Sequence, residues 1–441
     1  MALEVHALRI DPVSEVVLAV KQLPTSSIVR CASAKLPALS SSSSSLPLAI
    51  SPSSATSYPS SCAGLSKLWS LPSGSGARRA WRVTASTTFF DGETEQVQNQ
   101  PQTQDTIIPV LTLSQITSRL QGEAKAMKYE CFRSMYSSVV GAITTDVAAM
   151  VLPLDDHMVH RGHSVFDTAA IVNGYLYELD AHLDRLLRSA AKAKITPPFD
   201  RATLREILLQ TVAAGDCRDG ALRYWLSCGR GGFNLSAREC DQATFYAIVL
   251  DGNHMNDDVS AGVKVITSSV PIKPQDFATV KSTNYLPNAL VLQEAEERGA
   301  FAGIWLDDKG FIAEGQNMNV AFVKDGNLLV PTFDKILSGC TALRMLELVP
   351  QLIAAGALPG LNDVKTKVIS LEEAKGATEM MLIGSGVIIT PVVMWDDEPI
   401  GNGKPGPITL ALRKWLRHDM MEGPAAIRTK IQPKISRFSC R

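Results

Sequence analysis

Between residues 16 and 90 the chain carries seven Lys or Arg and no Asp or Glu, and this asymmetry decides which part of the sequence can build a core. The basic residues are Lys21, Arg30, Lys35, Lys67, Arg78, Arg79 and Arg82, separated by serine-dominated stretches that include the run Ser40 to Ser45. Such a segment buries too little apolar surface to offset its ordering entropy and is predicted to be disordered. A Ser-rich, Arg-bearing, acid-poor leader is the composition of an organellar transit peptide. The Ser and Pro excess without a long amphipathic Arg helix favours the plastid over the mitochondrion. Glu4, Asp11 and Glu15 precede the acid-free stretch, and Asp91, Glu93 and Glu95 follow it, so the address should end near Val83-Thr84-Ala85. We therefore read 1–90 as a plastid transit peptide and 91–127 as an N-terminal extension.

Without residues 1–90 the chain keeps 35 basic and 41 acidic residues, a net charge near −6. That balance, with no basic stripe, argues against a nucleic-acid-binding protein. No apolar run approaches the roughly 18 residues of a membrane-spanning helix, so no membrane partner is expected. None of the eight cysteines pairs at C-x-x-C spacing, so neither a zinc site nor a redox pair is legible, and no disulfide is needed.

From residue 134 onward, dense apolar patterning sets in. Asn173-Gly174 between apolar flanks is a strong hairpin signal. Leu183, Leu186, Leu187, Ala190 and Ala191 recur at helical spacing after Asp180, a candidate N-cap, and a second helix should cover 201–214. Strands are predicted at 222–228 and 244–250. The polar, turn-rich stretch from Asp251 then reads as an interdomain connection over 251–261. The second half offers a strand at 263–268, a helix at 286–298, three short strands between 303 and 330, a helix from about Thr341, an apolar run at 379–383 and a helical period at 409–416. Strands and helices in separated runs indicate α+β rather than a doubly wound sheet. The expected organisation is a small domain at 128–250, a larger one at 262–420 and a tail at 421–441, with no internal repeat.

Several residues tempt a chemical reading. His157, His160 and His163 fall three apart. That spacing drifts round a helix axis and alternates faces in a strand, and we assign no metal to them. Gly229-Arg230-Gly231-Gly232 lacks the Lys-Ser/Thr continuation of a phosphate loop and reads as a turn. Gly384-Ser385-Gly386, at the end of an apolar run, offers backbone N–H groups to a ligand or is simply a turn. Ser338-Gly339-Cys340-Thr341 at a helix start is an anion site or an ordinary cap. Residue by residue, neither Lys281 nor Glu314 stands out from surface and turn residues.

Taken together and in order, however, six segments resemble the fold-type-IV pyridoxal-phosphate enzymes, a family of D-amino-acid aminotransferases, branched-chain aminotransferases and aminodeoxychorismate lyases. They are Arg161-Gly-His-Ser-Val-Phe-Asp167, His182-Leu-Asp-Arg-Leu186, Lys281-Ser-Thr-Asn-Tyr-Leu286, Glu314-Gly315 with Asn319, Leu337-Ser-Gly-Cys-Thr341, and Ile389-Thr-Pro-Val392. The resemblance spans about 134–420 and is most detailed to the D-amino-acid aminotransferase branch of plant chloroplasts.

The resemblance implies two α/β domains with pyridoxal 5'-phosphate in the cleft between them, and a homodimer. It implies that Lys281 holds the cofactor covalently and moves the substrate α-proton, and that Glu314 faces the pyridine nitrogen. Arg185 would bind the phosphate bidentately, helped by Cys340, Thr341 and Ser385, with Phe166 and Gly386 toward the substrate. Bacterial D-amino-acid aminotransferases carry Tyr where this chain has Phe166, and an Arg-x-His carboxylate trap where it has Phe233-Asn234-Leu235; Phe at the first position is similar to the branched-chain enzymes. The implied reaction is transfer of an amino group between a D-amino acid and a 2-oxo acid such as 2-oxoglutarate or pyruvate. The alternatives are release of pyruvate and 4-aminobenzoate from aminodeoxychorismate, or branched-chain L-amino-acid transamination. A non-catalytic pyridoxal-phosphate carrier is disfavoured, because a carrier has no need of Glu314.

Overall fold

Asn173 and Gly174 both take positive φ, 49° and 77°, in the computed structural model of the protein. They join strand Ser164–Val172 to strand Tyr175–Tyr177 as a two-residue hairpin with Val172 opposite Tyr175. The structure describes residues 5–7, 18–20, 108–126, 131–252 and 261–432. Residues 1–102 form a unit of their own, in which Val5–Ala7 pairs antiparallel with Leu18–Val20. This strand pair lies within the leader read as the transit peptide. The rest of that leader, and Asp91 to Glu95 after it, lie outside the described residues.

Residues 103–441 are a second unit, and its described residues hold two sheets. The first has seven antiparallel strands in the order Arg428–Lys430, Tyr175–Tyr177, Ser164–Val172, Gly220–Ser227, Thr244–Asp251, Phe132–Ser137 and Ala142–Thr144. Helices Leu179–Lys192 and Arg201–Gly215 cover it, and Leu183, Leu186, Ala190, Leu204, Leu208 and Val212 pack on Val165, Ala169, Ile171, Leu222 and Leu226. Asp200 caps the second helix by accepting from the Thr203 N–H at 2.7 Å. Asp180 is not the cap of the first. Glu178 takes that place in a left-handed conformation, and Asp180 instead accepts from Arg201 and Arg205 of the neighbouring helix.

The second sheet is mixed: Ile312–Gly315, Ala302–Leu306, Val263–Thr267, Ile388–Trp395, Glu379–Gly384, Asn319–Lys324, Asn327–Pro331 and Asp363–Lys367, with Glu398–Pro399 alongside Ile388–Trp395. Its central strands are apolar on both faces, as the period of two requires of a buried sheet. Val320, Phe322, Met380 and Leu382 point into one core with Trp395. Ala321, Val323, Met381 and Ile383 point into another, against helices Cys340–Ala354 and Pro407–Glu422. Of the segment 421–441 expected as a tail, residues to 432 are described. The last of these helices runs to Glu422, and Arg428–Lys430 then returns to edge the first sheet, with the Arg428 guanidinium 4.2 Å from the centre of the Tyr175 ring.

Strand Ser164–Val172 is common to both halves. Val165, Ala169 and Ile171 belong to the core of the first sheet, while Ala170 and Val172 belong to a core of the second. At its start the strand also grips the loop at Lys281: Phe166 N–H donates to Lys281 O at 2.9 Å and Thr283 N–H to Ser164 O at 3.1 Å. The connection expected at 251–261 coincides with the end of the first sheet, and residues 253–260 lie outside the described residues. Helix Leu113–Ala126, within the expected extension, buries none of its residues. Among the described residues no helix is long and apolar enough to cross a membrane.

Candidate active site

A cavity of about 440 Å³ gathers the residues singled out from sequence: Phe166, Arg185, Lys281, Glu314, Cys340, Thr341, Ser385 and Gly386 all line it. Lys281 follows the short helix Gln275–Ala278 and precedes helix Leu286–Glu297, so its backbone is fixed at both ends while its side chain reaches into the space. Its Nζ donates to Tyr285 Oη at 3.3 Å and lies 4.8 Å from the centre of the Phe166 ring. Phe166 and Tyr285 meet edge to face at 5.0 Å, forming an aromatic wall beside the amine.

Glu314 is the penultimate residue of strand Ile312–Gly315 and is buried. Burial pushes its carboxyl up to about 8, against the pull of Lys273, Lys281, an N–H at Leu337 and Arg185. Lys273 faces it with its own pKa lowered by burial, Glu314 acting the other way. Asn319 Nδ2 donates to Glu314 Oε2 at 3.5 Å, a long contact, and the same amide donates to Leu337 O at 2.9 Å. Glu314 is thus a buried carboxyl whose acceptor capacity is largely unspent, directed toward the cavity.

Arg185 comes from helix Leu179–Lys192 and is held by Asp167, to which it donates from Nε at 2.8 Å and Nη2 at 2.7 Å. His182 Nδ1 lies 2.8 Å from the same carboxylate. Burial works against ionisation of Asp167, but the charges of Arg185 and His182 and their hydrogen bonds outweigh it and hold the carboxyl well below the usual range. His182 is pushed up to about 10: burial opposes its charge, and the Cys340 sulfur and Asp167 beside it prevail. The bidentate edge that the resemblance reserved for a phosphate is therefore taken by Asp167. The Nη1 side remains, donating to Ser338 O at 3.2 Å.

Helix Cys340–Ala354 starts at the same end of the cavity. Its N-cap is Gly339, which has no side chain to satisfy the first N–H groups, and any Cβ there would overlap Asn319 Oδ1. Thr341 Oγ1 lies 3.4 Å from Ser385 Oγ, in the turn between strands Glu379–Gly384 and Ile388–Trp395. Free backbone donors, two hydroxyls and a guanidinium converge here, which suits an anion.

This donor set fits pyridoxal phosphate: anion donors at one end, a reactive amine in the middle and an under-partnered buried carboxyl for a protonated ring nitrogen. Phe233-Asn234-Leu235 is not part of the lining, and Phe233 and Leu235 are exposed. Sequence reasoning assigned no role to Lys273, Tyr285 or Asn288, which also line the cavity. Tyr285 was within reach of it, four residues after Lys281 in a segment that the resemblance already included. Lys273 sits in a Pro-flanked loop that carries no signal.

Residues 164–395 match the model of the amino-transferase class IV family. The chain is 57% identical over 326 residues to the chloroplastic D-amino-acid transaminase of Arabidopsis thaliana, covering 74% of this chain and 85% of that one. It is 28% identical to a D-alanine aminotransferase of Bacillus licheniformis, over 62% of this chain and 93% of the other. Among solved structures, a T.th. branched-chain amino acid aminotransferase with pyridoxamine 5'-phosphate shares the fold. Its TM-score is 0.63 at 23% identity, covering 68% of this chain and 99% of that one. The fold is therefore fold type IV, α+β, the cofactor is pyridoxal phosphate and the substrates are small amino and 2-oxo acids. The chain belongs to the class IV aminotransferases.

Proposed function

We propose that the enzyme transfers the amino group of a D-amino acid to a 2-oxo acid such as 2-oxoglutarate or pyruvate. The observation that carries this is the 57% identity to a D-amino-acid transaminase over 85% of that protein. When bound, pyridoxal phosphate supplies an aldehyde that captures an amine and a ring that takes up the electron pair left at the substrate α-carbon.

Lys281 is the amine that would hold the cofactor, and the same amine would take up the proton at the substrate α-carbon. Tyr285, 3.3 Å from Nζ, orients that amine. Glu314 is the carboxylate for the ring nitrogen, and Asn319 steadies it. Arg185 Nη1, Thr341, Ser385 and the N–H groups of Cys340 and Thr341 bind the phosphate, with Asp167 and His182 fixing the guanidinium. Phe166 and Gly386 face the substrate; Gly386 has open space where a side chain would stand. The same reading has a small domain at 128–250, a larger one at 262–420 and a homodimer as the working form.

The test is a panel of D- and L-amino acids with 2-oxoglutarate, beside an assay for 4-aminobenzoate release. Turnover is expected with small or acidic D-amino acids and little with L-leucine or L-valine. Clear L-branched-chain turnover would overturn the assignment in favour of the branched-chain branch, and 4-aminobenzoate release alone would make the enzyme a lyase. We also place it in the plastid, supported by the leader composition and by the relative being named chloroplastic. Residues 1–90 fused to a fluorescent reporter should reach plastids, and a cytosolic reporter would refute that placement.

A further inference from the structure

Two histidines six residues apart and a cysteine from a distant strand end meet at one end of the first sheet, outside the lining of the cavity. His157, His163 and Cys228 each bring one ligand-capable atom within 4.8 Å of the other two. The scaffold explains why. Asp156 caps the short helix His157–Arg161, and its carboxylate is anchored to the sheet by Ser227, Thr244 and Tyr246, which fixes His157 beside the end of strand Gly220–Ser227. Gly162 takes a left-handed conformation, φ 63°, and turns the chain back so that His163 O accepts from Cys228 N–H at 3.1 Å. Spacing along a regular helix or strand would have separated the two histidines; the left-handed turn between them brings them together.

His157 is 0% exposed, and among the described residues its ring nitrogens make no hydrogen bond of good geometry, the Asn234 backbone being at most a weak partner for one of them. A buried imidazole left with an unsatisfied nitrogen is costly unless something else takes up its lone pair. His163 is already oriented: its Nε2 lies 2.9 Å from Ala193 O, which can only accept, so Nε2 carries the proton and Nδ1 keeps its lone pair. That is the outer hydrogen bond typical of a metal-ligating histidine. Cys240 lies beside Cys228, within hydrogen-bonding reach of its sulfur.

We propose that His157, His163 and Cys228 bind a zinc-class divalent cation, His157 and His163 each through one neutral imidazole nitrogen and Cys228 through its sulfur. Two imidazoles and a thiolate are the donor chemistry of zinc rather than of magnesium or calcium. On binding, a metal–sulfur bond replaces the Cys228 S–H bond and the proton leaves to solvent. The role is structural. The same turn holds the loop after Lys281, since Gly162 O accepts from Thr283 Oγ1 at 3.1 Å and Asn284 Nδ2 at 3.2 Å. An ion here would stiffen the strap behind the active-site lysine.

The test uses the full-length, pyridoxal-phosphate-loaded enzyme dialysed against zinc, with magnesium in parallel, followed by elemental analysis and zinc K-edge absorption. One zinc per chain is expected, with sulfur at about 2.3 Å and nitrogen at about 2.0 Å. Zinc affinity should fall by more than about tenfold in Cys228→Ser and His163→Gln and stay unchanged in Cys131→Ser, an exposed thiol elsewhere. A sulfur-free coordination shell, or equal zinc content in Cys228→Ser and the native chain, would overturn the site. Should Cys228→Ser fail to fold, the K-edge spectrum of the native enzyme decides alone.

Discussion

Lys281 is the residue on which the proposed chemistry turns, and its neighbours determine what its loss would reveal. Lys281→Ala should abolish turnover together with the yellow absorbance of the lysine-bound cofactor, read by visible spectroscopy. A fully active Lys281→Ala enzyme would end the assignment. Glu314 and Arg185 predict opposite signatures. Glu314→Gln removes charge without removing the side chain, so kcat should fall by about 10²-fold or more while cofactor retention changes little. Arg185→Ala should chiefly weaken cofactor binding and also destabilise the fold by about 3–5 kcal/mol, because Asp167 is left buried without its bidentate partner. Identical patterns in the two variants would mean the roles are misassigned.

His182 adds a pH dependence. Its folded pKa lies above its unfolded one, so its stabilisation is fully present below about 6.5 and is lost as pH rises to about 10. Urea midpoints of the native chain should fall across that window, and those of His182→Asn should fall less. At this scale the sequence was most readable through the family resemblance. Lys281, Glu314 and Arg185 look ordinary in isolation, and only the order of six segments brought them forward. The occupied edge of Arg185 could not be read off, because Asp167 reaches it from another element.

Among the elements, local rules accounted for those whose signals are local. The Asn173-Gly174 hairpin and the helix capped by Asp200 formed where their residues demand. Asp180 shows the limit: two arginines of the adjacent helix compete for it, and tertiary ion pairing prevailed over capping. The start of helix Cys340–Ala354 depends on a missing side chain. Gly339→Ala should push Asn319 away from Leu337 O and disturb the steadying contact on Glu314. Cofactor affinity, followed by fluorescence titration, should drop by about tenfold or more, whereas Gly386→Ala, facing open space, should leave it unchanged.

For the whole molecule, the charge asymmetry of the leader predicts that a chain beginning near residue 90 folds, binds cofactor and turns over like the full-length one. Removing residues 423–441 should not be silent. It strips Arg428–Lys430 from Tyr175–Tyr177 and breaks the Arg205–Thr429 hydrogen bond, so thermal unfolding should move several degrees lower. That strand was illegible in advance, since three polar residues after a helix carry no periodicity and owe their conformation to an edge built some 250 residues earlier.

The strand shared by two cores also bears on recombining this enzyme with its relatives. The polar stretch at 251–261 looks like a natural crossover point, with most of one sheet before it and the whole of the other after. A chimera joined there would inherit Ala170 and Val172 from one parent and the core they fill from the other, along with a foreign grip on the lysine loop. Productive exchange has to carry residues 164–172 together with the C-terminal half. The unit of inheritance is therefore discontinuous in sequence, although the two sheets suggest a clean cut.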